Sequence, residues 1–299
     1  MSFFVHKKLR KITESENLLS FGGVLSRWQH GSDFRKLRLL VGIITVVFLG
    51  VYAAAQFRAG SKALHVLFGW DYSTGAIIGS VIVFLYCLSG GIRASIWTDA
   101  AQSIVMIFAM SMLFFVGVSE VGGFDQYIAK LNAVSPGFLD VTPTGLAIDN
   151  SIGVVLAGIF SATMSTADSQ ILSCSAAFTR DILPKEKDTL LITKVTTGLV
   201  TVVALLIALF GSKNVFELVL IAWSVLSAAF GPLMLVYALG KKVSETTAIL
   251  MVVNGVGVTL FWREFGLGGT MYEVAPGMMV GFITYFVLSK TKWNSSTAK

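Results

Sequence analysis

The sequence predicts an all-helical integral membrane protein with about eight transmembrane helices. Of the 299 residues, 55% are hydrophobic and 13% are charged, whereas a soluble domain carries about 25% charged residues. A helix that crosses the bilayer needs about 20 mostly apolar residues. Eight runs reach or approach that length, at residues 39–57, 73–90, 101–118, 152–179, 190–211, 215–239, 247–262 and 271–289. Together they define a predicted transmembrane domain at residues 39–289.

Lysine and arginine are distributed unequally between the segments that connect these runs. If residue 1 is cytoplasmic, the cytoplasmic segments hold 17 of the 23 basic residues and the opposite side holds 5. Short cytoplasmic loops of membrane proteins are enriched in Lys and Arg. The sequence therefore predicts a multi-pass membrane protein with both termini in the cytoplasm.

The two ends of the chain, residues 1–38 and 290–299, are predicted to be a cytoplasmic connector and a cytoplasmic tail. Apolar residues between positions 18 and 28 interrupt the charges of the connector. Such a stretch is typical of an amphipathic segment that lies on the membrane surface, but a plain solvated loop fits equally well.

Several function classes find no support in the residues. The basic residues lie in short loops rather than in a nucleic-acid patch, and the three histidines are scattered along the chain. Paired catalytic carboxylates and a nucleophile elbow are absent. Cys87 and Cys174 fall inside apolar runs and are expected to be free thiols. We therefore expect neither an enzyme nor an organic cofactor.

The run at residues 152–179 combines small residues with hydroxyls. Small residues recur at every fourth position, which places them on one helix face and favours close packing in lipid. Ser165 and Thr166 are adjacent hydroxyls near mid-membrane, and with the carbonyl of Ala162 they could supply three oxygen ligands to a hard cation. Alternatively, both hydroxyls bond back to carbonyls one turn earlier. Asp168 in the same run is an ionisable group within a span and hence a second candidate.

The connection between the second and third runs contains Asp99. As a residue near a helix N-terminus, Asp99 would be stabilised by the helix dipole. Alternatively, its carboxylate lies on the path of an ion to the cytoplasm. A proline inside the run at 215–239 is expected to bend the helix. Such a bend either serves packing or lines a pathway. We take Trp223 in this run as a candidate residue of a substrate path.

Five stretches of the chain together resemble the sodium:solute symporter family, in particular its sodium/proline branch. They lie at residues 52–60, 90–99, 161–166 (Ser-Ala-Thr-Met-Ser-Thr), 228–232 and 271–277 (Met-Tyr-Glu-Val-Ala-Pro-Gly). The resemblance implies the inverted-repeat, LeuT-like transporter fold. It also implies that Ala162, Ser165 and Thr166 bind Na⁺, that Asp99 takes part in sodium binding or release, and that Tyr52 lies near the substrate path.

The chain departs from the family pattern in two places. The family's opening helices precede the point that corresponds to residue 1, and two central helices that the family carries are expected to be missing near residues 148–150. The resemblance implies sodium/L-proline symport across the plasma membrane, impaired by this incompleteness. The alternatives are a non-transporting remnant, scaffold or sensor, and a sodium symporter for another small organic solute. The expected partners are Na⁺ as coupling ion, the solute and the lipid bilayer, without nucleic acid.

Overall fold

The computed structural model describes residues 2–16, 18–28, 33–120, 122–124, 126, 150–184, 189–269 and 271–290. Residues 148–149 of the expected junction and residues 291–299 of the expected tail lie outside these ranges. The described residues form helices and no strands. We number the helices α1 (Ser2–Glu16), α2 (Phe21–Arg27), α3 (Arg35–Phe68), α4 (Tyr72–Glu120), α5 (Asn150–Ala177), α6 (Leu190–Phe210), α7 (Val215–Ala238), α8 (Glu245–Glu264) and α9 (Val274–Ser289).

Five of these helices are long and apolar enough to cross a membrane: α3, α4, α6, α7 and α8. The shorter apolar helix α9 adds a sixth hydrophobic element. Because the backbone hydrogen bonds of a helix are satisfied internally, helices are one of the two structures that can span lipid. The all-helical architecture of a membrane protein is thus confirmed.

Helix α4 is two helical arms that meet at Gly91. This residue has φ 52° and ψ −136°, a backbone conformation that residues other than glycine rarely adopt. The chain resumes its helix directly after this break, so residues 92–100 are helical. Asp99 consequently lies in the third turn of the second arm and not at its N-terminus. The helix dipole, which acts within the first turn, is therefore not what stabilises its charge.

The chain divides into two compact units, which we describe separately. Unit 1 comprises Met1–Ala55 and Gln170–Lys299, and unit 2 comprises Gln56–Ser169. In unit 1, helices α7, α8 and α9 pack against one another. The apolar residues Val24, Leu25 and Trp28 near α2 join the same buried cluster, which also contains Tyr237 of α7.

Glycines set the spacing of the three packed helices of unit 1. A Cβ atom on Gly255 of α8 would stand 2.5 Å from the carbonyl oxygen of Ala228 of α7. A Cβ atom on Gly277 of α9 would stand 2.8 Å from the Cβ of Ala228 and 3.0 Å from the carbonyl oxygen of Gly255. In lipid, small residues of this kind allow backbones to approach closely and gain van der Waals contact.

A buried carboxylate, Asp181, follows α5 and faces the start of α2 within unit 1. Its side chain accepts a hydrogen bond of 2.5 Å from the hydroxyl of Ser20, which also accepts the backbone N–H of Gly23 as the N-cap of α2. The other carboxylate oxygen has no hydrogen-bond partner. Burial raises the pKa of Asp181 to about 6, although the Ser20 hydrogen bond and the charge of Arg38 act in the opposite direction.

We expect the raised pKa of Asp181 to make unit 1 less stable as the pH rises from about 4 to about 6. In this window the unfolded chain has lost the proton that the folded chain still holds, so unfolding becomes more favourable by about 2–3 kcal/mol in total. Above pH 6 the penalty is constant. The measurement is the unfolding midpoint of the wild type minus that of Asp181→Asn across pH 4–8.

The comparison with Asp181→Asn isolates this group from the other carboxylates. Glu14→Gln removes an exposed carboxylate that is paired with Arg10 and serves as control. If the difference between wild type and Asp181→Asn is flat across the window, or rises with pH, Asp181 does not carry the raised pKa.

Candidate functional site

A hydroxyl–carboxylate pair joins α5 to the second arm of α4 within unit 2. The hydroxyl of Ser165 donates to Oδ1 of Asp99 at 2.5 Å. Hydrogen bonds to an ionised carboxylate are shorter and stronger than neutral ones. Since the proton of Ser165 is directed at Asp99, the lone pairs of its oxygen remain available to a cation. The structure thus brings together two residues that are separated by 66 positions in the sequence.

The neighbouring hydroxyl of Thr166 behaves differently. It donates to the carbonyl oxygen of Ala162 at 2.9 Å, one turn earlier in α5. For Thr166 the back-bonding alternative describes the geometry, whereas the hydroxyl of Ser165 donates across to another helix. The carbonyl oxygen of Ala162 also accepts the backbone N–H of Thr166 within the helix, so the hydroxyl oxygen of Thr166 is the one of the two that keeps lone pairs for a cation.

A second carboxylate, Asp168, lies one turn along α5 and is fully buried. The hydroxyl of Thr98 lies 3.5 Å from its Oδ2, and the hydroxyl of Ser169 donates to its Oδ1 at 3.2 Å. The sequence singled out Asp168 as an ionisable residue within a span but gave no indication that the hydroxyl of Thr98, from α4, lies beside it.

The electrostatics of this cluster favour a cation. Among the ion pairs of the described residues, none includes Asp99 or Asp168. A fully buried carboxylate such as Asp168 is costly without a countercharge. All the candidate ligand atoms of this cluster are oxygens, the ligand type that hard cations prefer. The donor set of Asp99, Ser165 and Asp168 therefore fits a small hard cation.

The two candidate residues of a substrate path lie in unit 1 and contact each other. The rings of Tyr52 in α3 and Trp223 in α7 meet edge to face, with their centroids 5.8 Å apart. Aromatic pairs prefer this arrangement because the edge of one ring is positive and the face of the other is negative. Half of the Trp223 side chain is exposed, so the pair presents an aromatic surface that a ligand could contact.

Beside Trp223, a polar network that the sequence did not indicate ties together α7, α8 and α9. The hydroxyl of the fully buried Ser224 lies 2.9 Å from the hydroxyl of Tyr272 and 3.1 Å from a carboxylate oxygen of Glu273. Arg263 contacts the same Glu273 oxygen and Glu217, each at 3.2 Å. These charges are separated by up to 56 positions along the chain, so no local spacing could have predicted their pairing.

Comparison with known proteins identifies the family. The model of the sodium:solute symporter family matches residues 2–151 and 145–255, which together cover most of the chain. The chain belongs to the sodium:solute symporter family. This is a family of transporters and not of enzymes, and the apolar helices described above fit membrane transport.

Several relatives of this symporter-family chain carry names that refer to proline. It is 23% identical to the high-affinity proline transporter PutP of Bacillus subtilis, over 96% of this chain and 80% of the relative. It is 22% identical to the osmoregulated proline transporter OpuE of the same organism, over 88% and 72%. It is 24% identical to the sodium/proline symporter of Escherichia coli, over 85% and 69%.

The alignments also bear on the central junction of this symporter-family chain. The family model matches as two segments that meet at residues 145–151. The alignment to the Bacillus PutP transporter runs over 377 positions, more than the 299 residues of the chain. The relative therefore carries residues that stand opposite gaps in this chain.

Proposed function

We propose that this protein is a sodium-coupled symporter, with L-proline as its solute, in the plasma membrane. The observation that carries the proposal is the Ser165–Asp99 hydrogen bond between two helices of a symporter-family chain. It leaves lone pairs on a hydroxyl beside a carboxylate, and Asp168 adds a second negative charge. In the proposal Na⁺ binds through Ala162, Ser165, Thr166 and Asp99, with Asp168 balancing its charge.

The proposed architecture is the inverted-repeat transporter fold with about eight spans and both termini cytoplasmic. The excess of Lys and Arg in the segments assigned to the cytoplasm supports this orientation. In such folds, ions and solutes bind near the middle of the bilayer, and rocking of one part against another exposes the site to either side. Sodium entry would supply about 2.3 kcal/mol per charge per 100 mV, in addition to its concentration gradient.

Proline as solute is supported by the names of the relatives and by the Tyr52–Trp223 pair. Proline combines an apolar ring with a cationic nitrogen. An aromatic face can contact the ring and attract the nitrogen. We therefore propose that Trp223 contacts the solute and that Tyr52 holds the Trp223 ring in place. The finer choice between proline and another small organic solute rests on this pair.

We expect proteoliposomes that contain the protein to accumulate labelled L-proline when Na⁺ is higher outside, and not when K⁺ replaces it. Trp223→Ala should weaken the apparent proline affinity roughly tenfold, since loss of an aromatic contact removes about 1–2 kcal/mol. Trp223→Phe keeps an aromatic ring and is the matched control. Initial uptake rates over a range of proline concentrations provide the measurement.

Equal uptake in both gradients would reject sodium coupling. Sodium-dependent accumulation of another labelled small solute, with no accumulation of labelled proline, would assign a different solute. Unchanged proline affinity in Trp223→Ala would remove Trp223 from the substrate path without affecting the sodium site.

A second candidate, a non-transporting relative of the symporters, is favoured by the two overlapping segments in which the family model matches, 2–151 and 145–255, and by the gaps in the alignment to PutP. Two of the family's central helices would be missing there, and with them part of the wall that faces the ion and the solute. This candidate predicts no uptake in either gradient, although Na⁺ still stabilises the purified protein against heat. Sodium-driven uptake by the 299-residue chain would reject it.

A further inference from the structure

A basic pocket lies at the end of α7 that is assigned to the cytoplasmic side. It encloses about 490 Å³ and is lined by four lysines together with Trp28 and Tyr237. The lysines come from two regions of unit 1 that are distant in sequence: Lys8 and Lys11 from α1, and Lys241 and Lys242 from the segment after α7. Its volume falls in the range of pockets that hold small ligands.

The packing of the chain builds this pocket. The ammonium group of Lys8 donates to the carbonyl oxygen of Ala238 at 2.6 Å, which fixes α1 beside the C-terminus of α7. The rings of Trp28 and Tyr237 stack with their centroids 5.8 Å apart. Both rings are at least 93% buried, so the apolar wall is part of the protein core.

The turn after α7 directs the other two lysines to the pocket. Gly240 has φ 75°, and its N–H donates to the carbonyl of Tyr237 while the N–H of Lys241 donates to that of Val236. This pair of bonds is the Schellman motif, which ends a helix at a glycine in the left-handed conformation. Lys241 and Lys242 follow at once, both exposed to solvent.

The charged residues that line the pocket are all lysines, and no acidic residue in the described part of the chain lines it. The hydroxyl of Tyr237 has no hydrogen-bond partner, although the residue is only 2% exposed. Buried polar groups in folded proteins are almost always hydrogen-bonded. Glu245 follows Lys242 by three residues, but its carboxylate accepts the backbone N–H groups of Lys36 and Leu37 at the start of α3. A ligand with acceptor oxygens and negative charge would complete this site.

We propose that the pocket binds the phosphate of an anionic lipid headgroup, with the Tyr237 hydroxyl donating to a phosphate oxygen and the lysines balancing the charge. A lipid is the source because the pocket adjoins the end of an apolar helix that is long enough to span the bilayer. Trp and Tyr are enriched at that depth, and basic pockets between helices on the cytoplasmic side bind anionic headgroups. The side of the membrane comes from the orientation proposed above, whereas the binding itself does not depend on transport.

The test is a titration of the detergent-purified protein with short-chain phosphatidylglycerol, phosphatidylcholine or inorganic phosphate, read as a thermal shift. We expect phosphatidylglycerol to bind at least tenfold more tightly than phosphatidylcholine. Lys241→Gln with Lys242→Gln should weaken binding roughly twenty-five-fold, since each basic residue contributes about a factor of five. Tyr237→Phe, which keeps the ring stack with Trp28, should weaken it about tenfold.

The matched control is Arg35→Gln with Lys36→Gln, which removes two exposed charges from the start of α3, outside the pocket. We expect this variant to bind phosphatidylglycerol within twofold of the wild type. Three results would overturn the proposal: equal affinity for the two lipids, equal losses in the control and the Lys241/Lys242 variant, or an equal shift by millimolar inorganic phosphate. Loss of proline uptake with lipid binding intact would count against the transport proposal alone.

Discussion

Asp99→Asn is expected to abolish the response of the protein to Na⁺ while leaving it folded. The asparagine still accepts the hydrogen bond of Ser165, so the geometry between α5 and the second arm of α4 is kept. The negative charge that attracts the cation is lost, and in a membrane interior we expect this to weaken sodium binding by about 3 kcal/mol, roughly a hundredfold. The measurement is a sodium titration of the thermal unfolding midpoint, together with sodium-dependent uptake.

Ser165→Ala removes one neutral ligand and should weaken sodium binding less, by roughly tenfold. Thr163→Ala is the matched control. Thr163 is buried in the same helix, and its hydroxyl donates to the carbonyl of Phe160 at 2.8 Å rather than to a carboxylate. The sodium site is misplaced if Thr163→Ala costs as much affinity as Ser165→Ala, or if Asp99→Asn responds to Na⁺ like the wild type.

The sequence could point to the hydroxyls of α5 but could not separate them. Ser165 and Thr166 are neighbours of the same chemical type, and spacing alone predicts the helix face on which each lies. Which of them meets a carboxylate depends on the second arm of α4, which brings Asp99 to Ser165 and leaves Thr166 bonded within its own helix. The partner of a side chain across a helix interface is a property of tertiary packing.

The same limit applies to the connection that contains Asp99. Gly90 and Gly91 indicate a break, and the structure places a left-handed residue at Gly91. A glycine pair fits both a loop and a sharp joint between two helical arms, and the sequence gave no means of choosing between them. The consequence for function is direct, since the helical joint moves Asp99 from the first turn to the third and removes the helix dipole as an explanation for its charge.

Apolar composition was the most informative feature, because a bilayer imposes a length and a composition on every spanning helix. It predicted a helical membrane protein without any knowledge of tertiary contacts. The Glu217–Arg263–Glu273 network was not predicted, because it depends on tertiary contacts and not on composition. Its three charges come from α7, α8 and the residue before α9, and they pair because those helices pack.

Gly255→Val is expected to lower the unfolding midpoint of the protein in detergent by roughly 5–10 °C. The added side chain would begin 2.5 Å from the backbone carbonyl oxygen of Ala228, and a backbone atom cannot move aside as a flexible side chain can. Overpacking of this kind costs about 1–3 kcal/mol. The same change would push α8 away from Gly277, whose carbonyl oxygen lies 3.5 Å from the Cβ position. Thermal unfolding monitored by size-exclusion chromatography measures the effect.

Gly257→Val tests whether close packing, rather than helix propensity, is the cause. Gly257 lies in the same helix, two residues later, and a Cβ atom there has no neighbour within 4 Å. Both substitutions replace glycine with the same residue in a helix interior, so their effects on helix propensity are equal. Gly257→Val should therefore leave the midpoint unchanged or raise it slightly. Equal losses in the two variants would show that α7, α8 and α9 do not depend on contact at Gly255, and the three-helix packing of unit 1 would need another explanation.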